Sequence, residues 1–359
     1  MANFELVSLW GGIPMMTTSA SSPNGIPRVT EDQVYASIFS DLSEAISRLP
    51  LKNTYTGTDV GRASKGAAQA LAAKAHLFRG EFAQAKPFLL EIVSSGQYSL
   101  VDRYLDNFEE ENENNEESVW EIQFSEAFGD AGAWNGDGNG IAEVTFRGQE
   151  YGPTAWRNVL PSLPLFNEYE KVANGAAKDD PRVSYNFFRI GDTYNGGQNV
   201  LSAENVQGNI ERPSWRKYQM IYKRPSEDVR SGINFRVIRY ADVLLMMAEV
   251  ENEVSGPSAA LPYINQVRAR TDVQMPPYPT AQYPTSNQAE MRTAIQHERR
   301  VELAGEQIRN RDIRRWRKLG SLPNEPIPNW NQRYSLLPIP FEEIDNNSAL
   351  TNSDQNPGY

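Results

Sequence analysis

Residues 64–96 read SKGAAQALAAKAHLFRGEFAQAKPFLLEIVSSG, and this stretch decides the fold class. After Ser64, Leu71, Ala75 and Phe78 share one face at helical spacing until Gly80 stops the run. A second run follows at once. Its Phe82, Ala85, Phe88, Leu89 and Ile92 point back at the first before Gly96 closes it, so the stretch predicts a helical hairpin joined at a glycine.

Working outward, Gly80, Phe82 and Ala85 sit as in the middle of a tetratricopeptide unit, with small residues where helices cross and an aromatic ring filling the gap beside them. Arg239 to Val254, a break at Ser255-Gly256-Pro257, and then Ala260, Leu261, Ile264 and Val267 predict a second such pair. Upstream, Thr30 and Gln33 have capping-box spacing, and Val34, Ile38, Leu42, Ala45, Ile46 and Leu49 continue as an amphipathic helix until Pro50. The fold class is therefore mainly α, with tetratricopeptide-like hairpins carrying a loop-rich insertion. Three parts are expected: a helical region over 1–100, a loop-rich ligand-binding region over 101–235, and a helical region over 236–359. In the middle part Glu109 to Glu117 is an acidic run expected to be a solvated, self-repelling loop, and Val119 to Phe124 is a short strand. Helix resumes from Ala289 to Leu319 before a loop-rich tail.

Composition narrows function by exclusion. The 359 residues hold 35 Lys+Arg against 46 Asp+Glu, a net charge of -11, which speaks against a general nucleic-acid binder. There are no cysteines, so disulfides, Cys-ligated metals and thiol nucleophiles are ruled out. The longest apolar run, Val243 to Ala248, is far shorter than the ~20 residues needed to cross a bilayer. Met1 to Gly12 lacks the basic start and long apolar stretch of a secretory signal, so either the protein is cytoplasmic or the chain lacks its natural beginning. His76 and His297 are the only histidines, too few for a three-His metal site, and His76 is expected to fill a helix interface. No nucleophile elbow or phosphate loop occurs, and no cofactor is expected.

An ordered series of motifs carries more. Arg239-Tyr240-Ala241-Asp242-Val243-Leu244-Leu245-Met246 is followed by Ala248-Glu249, Ala260-Leu261 and Ile264-Asn265-Gln266-Val267-Arg268. Then come Glu298-Arg299-Arg300-Val301-Glu302-Leu303, Arg309, Asp312-Ile313-Arg314-Arg315-Trp316, Leu337-Pro338-Ile339-Pro340 and Gln355-Asn356-Pro357-Gly358-Tyr359. Trp10-Gly11-Gly12-Ile13-Pro14, Arg62-Ala63-Ser64 and Asp180-Pro181-Arg182 extend the match over nearly the whole chain. In these residues the chain resembles the SusD/RagB family of outer-membrane nutrient-binding lipoproteins. It departs from the family pattern at Gln307 and at Asn310-Arg311, and it begins almost at the Gly-Gly-Ile-Pro region, without the lipoprotein signal and long leading segment usual there. The resemblance implies a surface-exposed, non-enzymatic protein of the outer membrane that captures oligosaccharides and closes over a SusC-like TonB-dependent transporter. That transporter, rather than a second copy of the chain, is the expected stable partner. A peptide-binding member of the family is the alternative, and a glycoside hydrolase a more distant one.

Sugar binding asks for flat aromatic faces with polar side chains beside them. The middle region supplies Trp134 with Asn135, Tyr151 and Trp156 with Arg157, then Tyr194 and Trp215, and these are the expected ligand contacts. Asn135, Asp137 and Asn139 alternate ahead of Glu143 as in the first half of a calcium loop, but the twelfth position is Phe146, so an Asx-rich turn is favoured. The six cations between Arg309 and Lys318 surround Asp312 downstream of Glu298, Glu302 and Glu306, which predicts ion pairs locking a structural helix rather than a nucleic-acid surface.

Overall fold

The computed structural model describes residues 1–16, 24–127 and 143–359. Helices α1 (Ala2–Trp10) and α2 (Glu31–Arg48) lead into the hairpin of α3 (Lys65–Arg79) and α4 (Phe82–Ser94). Thr30 caps α2 through a reciprocal pair with Gln33, and Ser64 caps α3 by accepting from the Ala67 amide. Gly80 turns the chain at φ 72°, and a Cβ there would lie 2.7 Å from a Leu319 methyl.

The middle of the chain holds β1 (Ser118–Ile122), the short helices α5 (Arg147–Tyr151), α6 (Leu163–Phe166) and α7 (Arg182–Asn186), and the two-residue strands β2 (Phe187–Phe188), β3 (Thr193–Tyr194), β4 (Asn199–Val200) and β5 (Ser214–Trp215). After β6 (Phe235–Arg239) come α8 (Tyr240–Val254), α9 (Pro257–Arg268), α10 (Gln288–Glu302), α11 (Arg309–Lys318) and α12 (Phe341–Asn346). The strands pair antiparallel, β1 with β6, β2 with β5 and β3 with β4. Every residue of α8 from Tyr240 to Asn252 is buried, because α4, α9 and α10 surround it. Leu77, Leu89, Leu244, Met247, Ile264 and Met291 form the shared core of both hairpins. The architecture is mainly helical, with both expected hairpins turning at Gly80 and Gly256.

Three expectations give way. The helix expected over Ala289 to Leu319 is two helices, broken where Gly305 and Gln307 take φ of 78° and 61°. The break has a cause: Glu306 turns inward to Arg239 and Lys217, and Gly305 lies so close under Trp215 that a Cβ would sit 2.9 Å from the indole. The acidic run is not wholly solvated, since Glu117 is fully buried and accepts from Arg239 at 2.7 Å and Arg270 at 2.5 Å. Glu298, Glu302 and Glu306 do not serve α11. They meet Arg182, Arg239, Arg268, Arg270 and Lys217 in a buried ionic network. Helix α11 is instead locked by Arg315 on Glu249 and by Asp312 on Arg299 at 2.7 Å, with the Trp316 indole donating to Glu249. His76 fills its interface as expected, stacked 4.0 Å from the Phe39 ring.

Candidate functional site

Helix α5 exists where it does because two glycines let it press against buried acceptors. A side chain at Gly148 would collide with the Glu227 carboxylate, and one at Gly152 would lie 2.5 Å from Gln219 Oε1. Glu227 has little to stabilise its charge. Burial pushes its carboxyl up to about 8, against a partial offset from the Ile221 amide. Arg147 opens α5, and its guanidinium lies over the rings of Tyr218 at 4.4 Å, Phe235 at 4.7 Å and Tyr151 at 5.4 Å. It donates to the Gly305 carbonyl at 3.1 Å, tying α5 to the break between α10 and α11.

Between α5, that break and the first turns of α11 runs a cleft of about 760 Å³. This size suits an oligosaccharide segment. Tyr151 and Trp215 line it with Arg147, Val159, Leu165, Gln307, Arg309 and Asn310. Trp215 is only 8% exposed, held by Phe187 at 5.5 Å, so it offers an edge rather than a free face. Its Nε1 is buried without a partner. Gln307 and Asn310 are exposed and supply amide donors and acceptors beside the rings.

The structure thus brings Tyr151 and Trp215 together, and it separates other expected contacts from them. Trp156 is 43% exposed but lies outside the cleft lining. Arg157 is buried at φ 55°, its guanidinium committed to Ser214 Oγ at 2.7 Å and to the carbonyls of Gln207, Asn209 and Arg212. It clamps a loop. Tyr194 is 7% exposed, packed among Phe188, Leu201, Val206 and Ile221, and lies on a smaller pocket with Arg216 and Tyr222 rather than on this cleft. The reason is common to both: the short β2–β5 and β3–β4 pairings fold polar-looking segments back on themselves. Trp134, Asn135, Asp137 and Asn139 lie outside the described residues. Glu143 is described and exposed, and among the described residues no group of three or more His, Asp or Glu is placed to hold a metal ion.

Sequence reasoning missed Arg147, Gln307, Arg309 and Asn310. The departure of Gln307 and Asn310 from the family pattern was the available signal for two of them, whereas nothing in the sequence singles out Arg147.

Comparison with known proteins gives this cleft its context. The family model described as the SusD family matches residues 116–321, more than half of the chain. The chain belongs to the SusD family. A second model, described as starch-binding associating with outer membrane, matches residues 1–77 of this SusD-family chain. SusD-like protein P25 of Formosa agariphila is 30% identical, with 99% of this chain and 71% of that protein aligned. The crystal structure of a SusD-like carbohydrate binding protein from Bacteroides fragilis superposes with a TM-score of 0.79 at 22% identity, covering 97% of this chain and 77% of that one. A laminarin binding SusD-like protein superposes with a TM-score of 0.72 at 25% identity, covering 99% and 76%. The two solved structures are named as binding proteins. Among the described residues no helix is long and apolar enough to cross a membrane.

Proposed function

We propose that this SusD-family protein is a non-catalytic protein of the outer-membrane surface, which captures oligosaccharides in the cleft beside α5 and delivers them to a SusC-like TonB-dependent transporter. The observation that carries the reading is the convergence of Tyr151 and the Trp215 edge with Arg147, Gln307 and Asn310 around one opening. A pyranose presents apolar C–H faces and hydroxyl edges together, and a ring flanked by amides and a guanidinium meets both. Trp156, and Trp134 with Asn135, are proposed as further contacts on longer glycans. Names given to relatives, carbohydrate binding and laminarin binding, support the same ligand class. The family description's association with the outer membrane supports the location.

Capture without turnover is favoured by the lining. Among its described residues the only carboxylate is Asp312, and Arg299 and Arg315 engage both its oxygens, whereas glycoside hydrolysis ordinarily uses two carboxylates. Titration calorimetry against a panel of oligosaccharides and peptides tests the reading. Saturable glycan binding without release of shorter products is expected. Peptide binding with no glycan bound would replace it with the peptide-capture alternative.

A further inference from the structure

Five arginines line the cleft, Arg147, Arg299, Arg300, Arg309 and Arg311, against the single carboxylate of Asp312. That is the reverse of the chain's balance, which is -11 overall. Pairing accounts for three of the five. Arg299 holds Asp242 and Asp312, Arg300 pairs with Glu168, and Arg311 pairs with Glu5. Among the described residues the guanidinium of Arg147 meets only aromatic faces and the Gly305 carbonyl. Among the described residues Arg309 makes no hydrogen bond or ion pair, its guanidinium lying 5.7 Å from the Trp316 ring and near Asp312 and Glu168 without pairing with either.

Elsewhere in the interior Arg182, Arg239, Arg268 and Arg270 each contact at least two carboxylates, and buried Arg157 spends its guanidinium on Ser214 and three backbone carbonyls. A half-buried guanidinium without a paired carboxylate is costly, because desolvation is only partly offset by attraction. Burial, and then the neighbouring charge of Arg300, lower the pKa of Arg309, while Asp312 and Glu168 offset part of the effect. The cleft lining holds five guanidinium groups against the one carboxylate of Asp312. The walls of Val159, Leu165, Ile308 and Ile327 are apolar, which strengthens any charge interaction made between them.

We propose that the cleft selects an anionic oligosaccharide, with Arg147 and Arg309 receiving its uronate carboxylates or sulfate esters. The proposal rests on the glycan-capture reading and names the ligand class. A planar guanidinium offers two parallel donors to either oxoanion, whereas a neutral hydroxyl leaves the excess charge unmet.

Calorimetry at low and high salt would compare oligogalacturonate, carrageenan oligosaccharide, neutral laminarin oligosaccharide and a polyglutamate peptide. At least one anionic glycan is expected to bind roughly tenfold or more tighter than laminarin, with the advantage shrinking in high salt. The uronate and sulfate arms then say which oxoanion is recognised. Arg309→Gln should erase that advantage, Arg309→Lys should keep part of it, and Arg333→Gln, an exposed cation outside the cleft, should keep all of it. Laminarin bound as tightly as the anionic glycans, with no loss in Arg309→Gln, overturns the anionic preference and leaves glycan capture standing. Polyglutamate bound while every glycan fails overturns both. Should Arg309→Gln melt early, the salt dependence of the unaltered protein and the Arg309→Lys affinity decide the matter.

Discussion

Glu302 accepts a hydrogen bond from the Arg239 guanidinium at 2.7 Å, and neither side chain reaches solvent. The same carboxylate also meets Arg182 and Arg270, so one side chain at the end of α10 joins α7, β6 and the segment after α9. Removing its charge takes one carboxylate from each of three buried guanidinium groups, leaving Arg182 with Asp180 and Glu298, Arg239 with Glu117 and Glu306, and Arg270 with Glu117. Glu302→Gln is expected to cost about 3 kcal/mol of unfolding free energy, because the network is left with a surplus of positive charge in a low-dielectric interior. Urea denaturation measures it, and a loss under ~1 kcal/mol would show that the network contributes little net stability.

The network also sets the acid limit. Burial alone would raise the Glu117 carboxyl, but Arg270 and Arg239 more than offset it and hold the group at about 2, and Glu170 is likewise held at about 2. A carboxyl depressed from its ordinary 4.5 adds stability that is fully present above that value and is lost as pH falls toward 2. Stability should therefore fall between these two pH values, and the fall should be shallower in Arg270→Met, which removes the main stabiliser of Glu117. An equal slope in both proteins would separate acid unfolding from this network.

Glu227 acts in the opposite direction. Its carboxyl is raised from 4.5 to about 8 by burial, so the folded state holds a proton that the unfolded state releases. The sign is then fixed: this contribution is full below 4.5 and is lost as pH rises through 8. The slope in that window can approach about 1.4 kcal/mol per pH unit. Glu227→Gln keeps the shape without the acidic proton and should flatten the decline. Because Glu227 presses on α5, the variant should also hold cleft affinity steadier near pH 8.

How far the sequence disclosed this molecule depended on distance along the chain. The hairpins were legible because caps, helical spacing and terminal glycines are local, as with Ser64, Leu77 and Gly80. The network was not. Arg182 and Glu302 are separated by 120 positions, and nothing near either residue names the other. The cleft fell between these cases. Tyr151 was flagged by its polar neighbours, but the same reasoning selected Tyr194, whose ring is buried by a pairing of two-residue strands too short to leave a periodic pattern.

The proposed site makes its own contrast between binding and folding. Tyr151 is half-buried on the cleft wall, and its ring is the aromatic surface there that combines polar neighbours with exposure beyond a single edge. Tyr151→Ala should weaken oligosaccharide binding by about 2 kcal/mol, roughly thirtyfold, as expected for a central aromatic contact. Trp316 is 1% exposed and donates to Glu249 from inside α11, so it has no face to offer a sugar. Trp316→Ala should instead lower stability by about 3–5 kcal/mol, through the cavity left by the ring. Calorimetry and thermal melting on both variants would separate the roles. If Tyr151→Ala bound glycans unchanged while Trp156→Ala lost affinity, the ligand would lie on the outer loop surface rather than in the cleft, and the arginines beside Tyr151 would have to be explained without it.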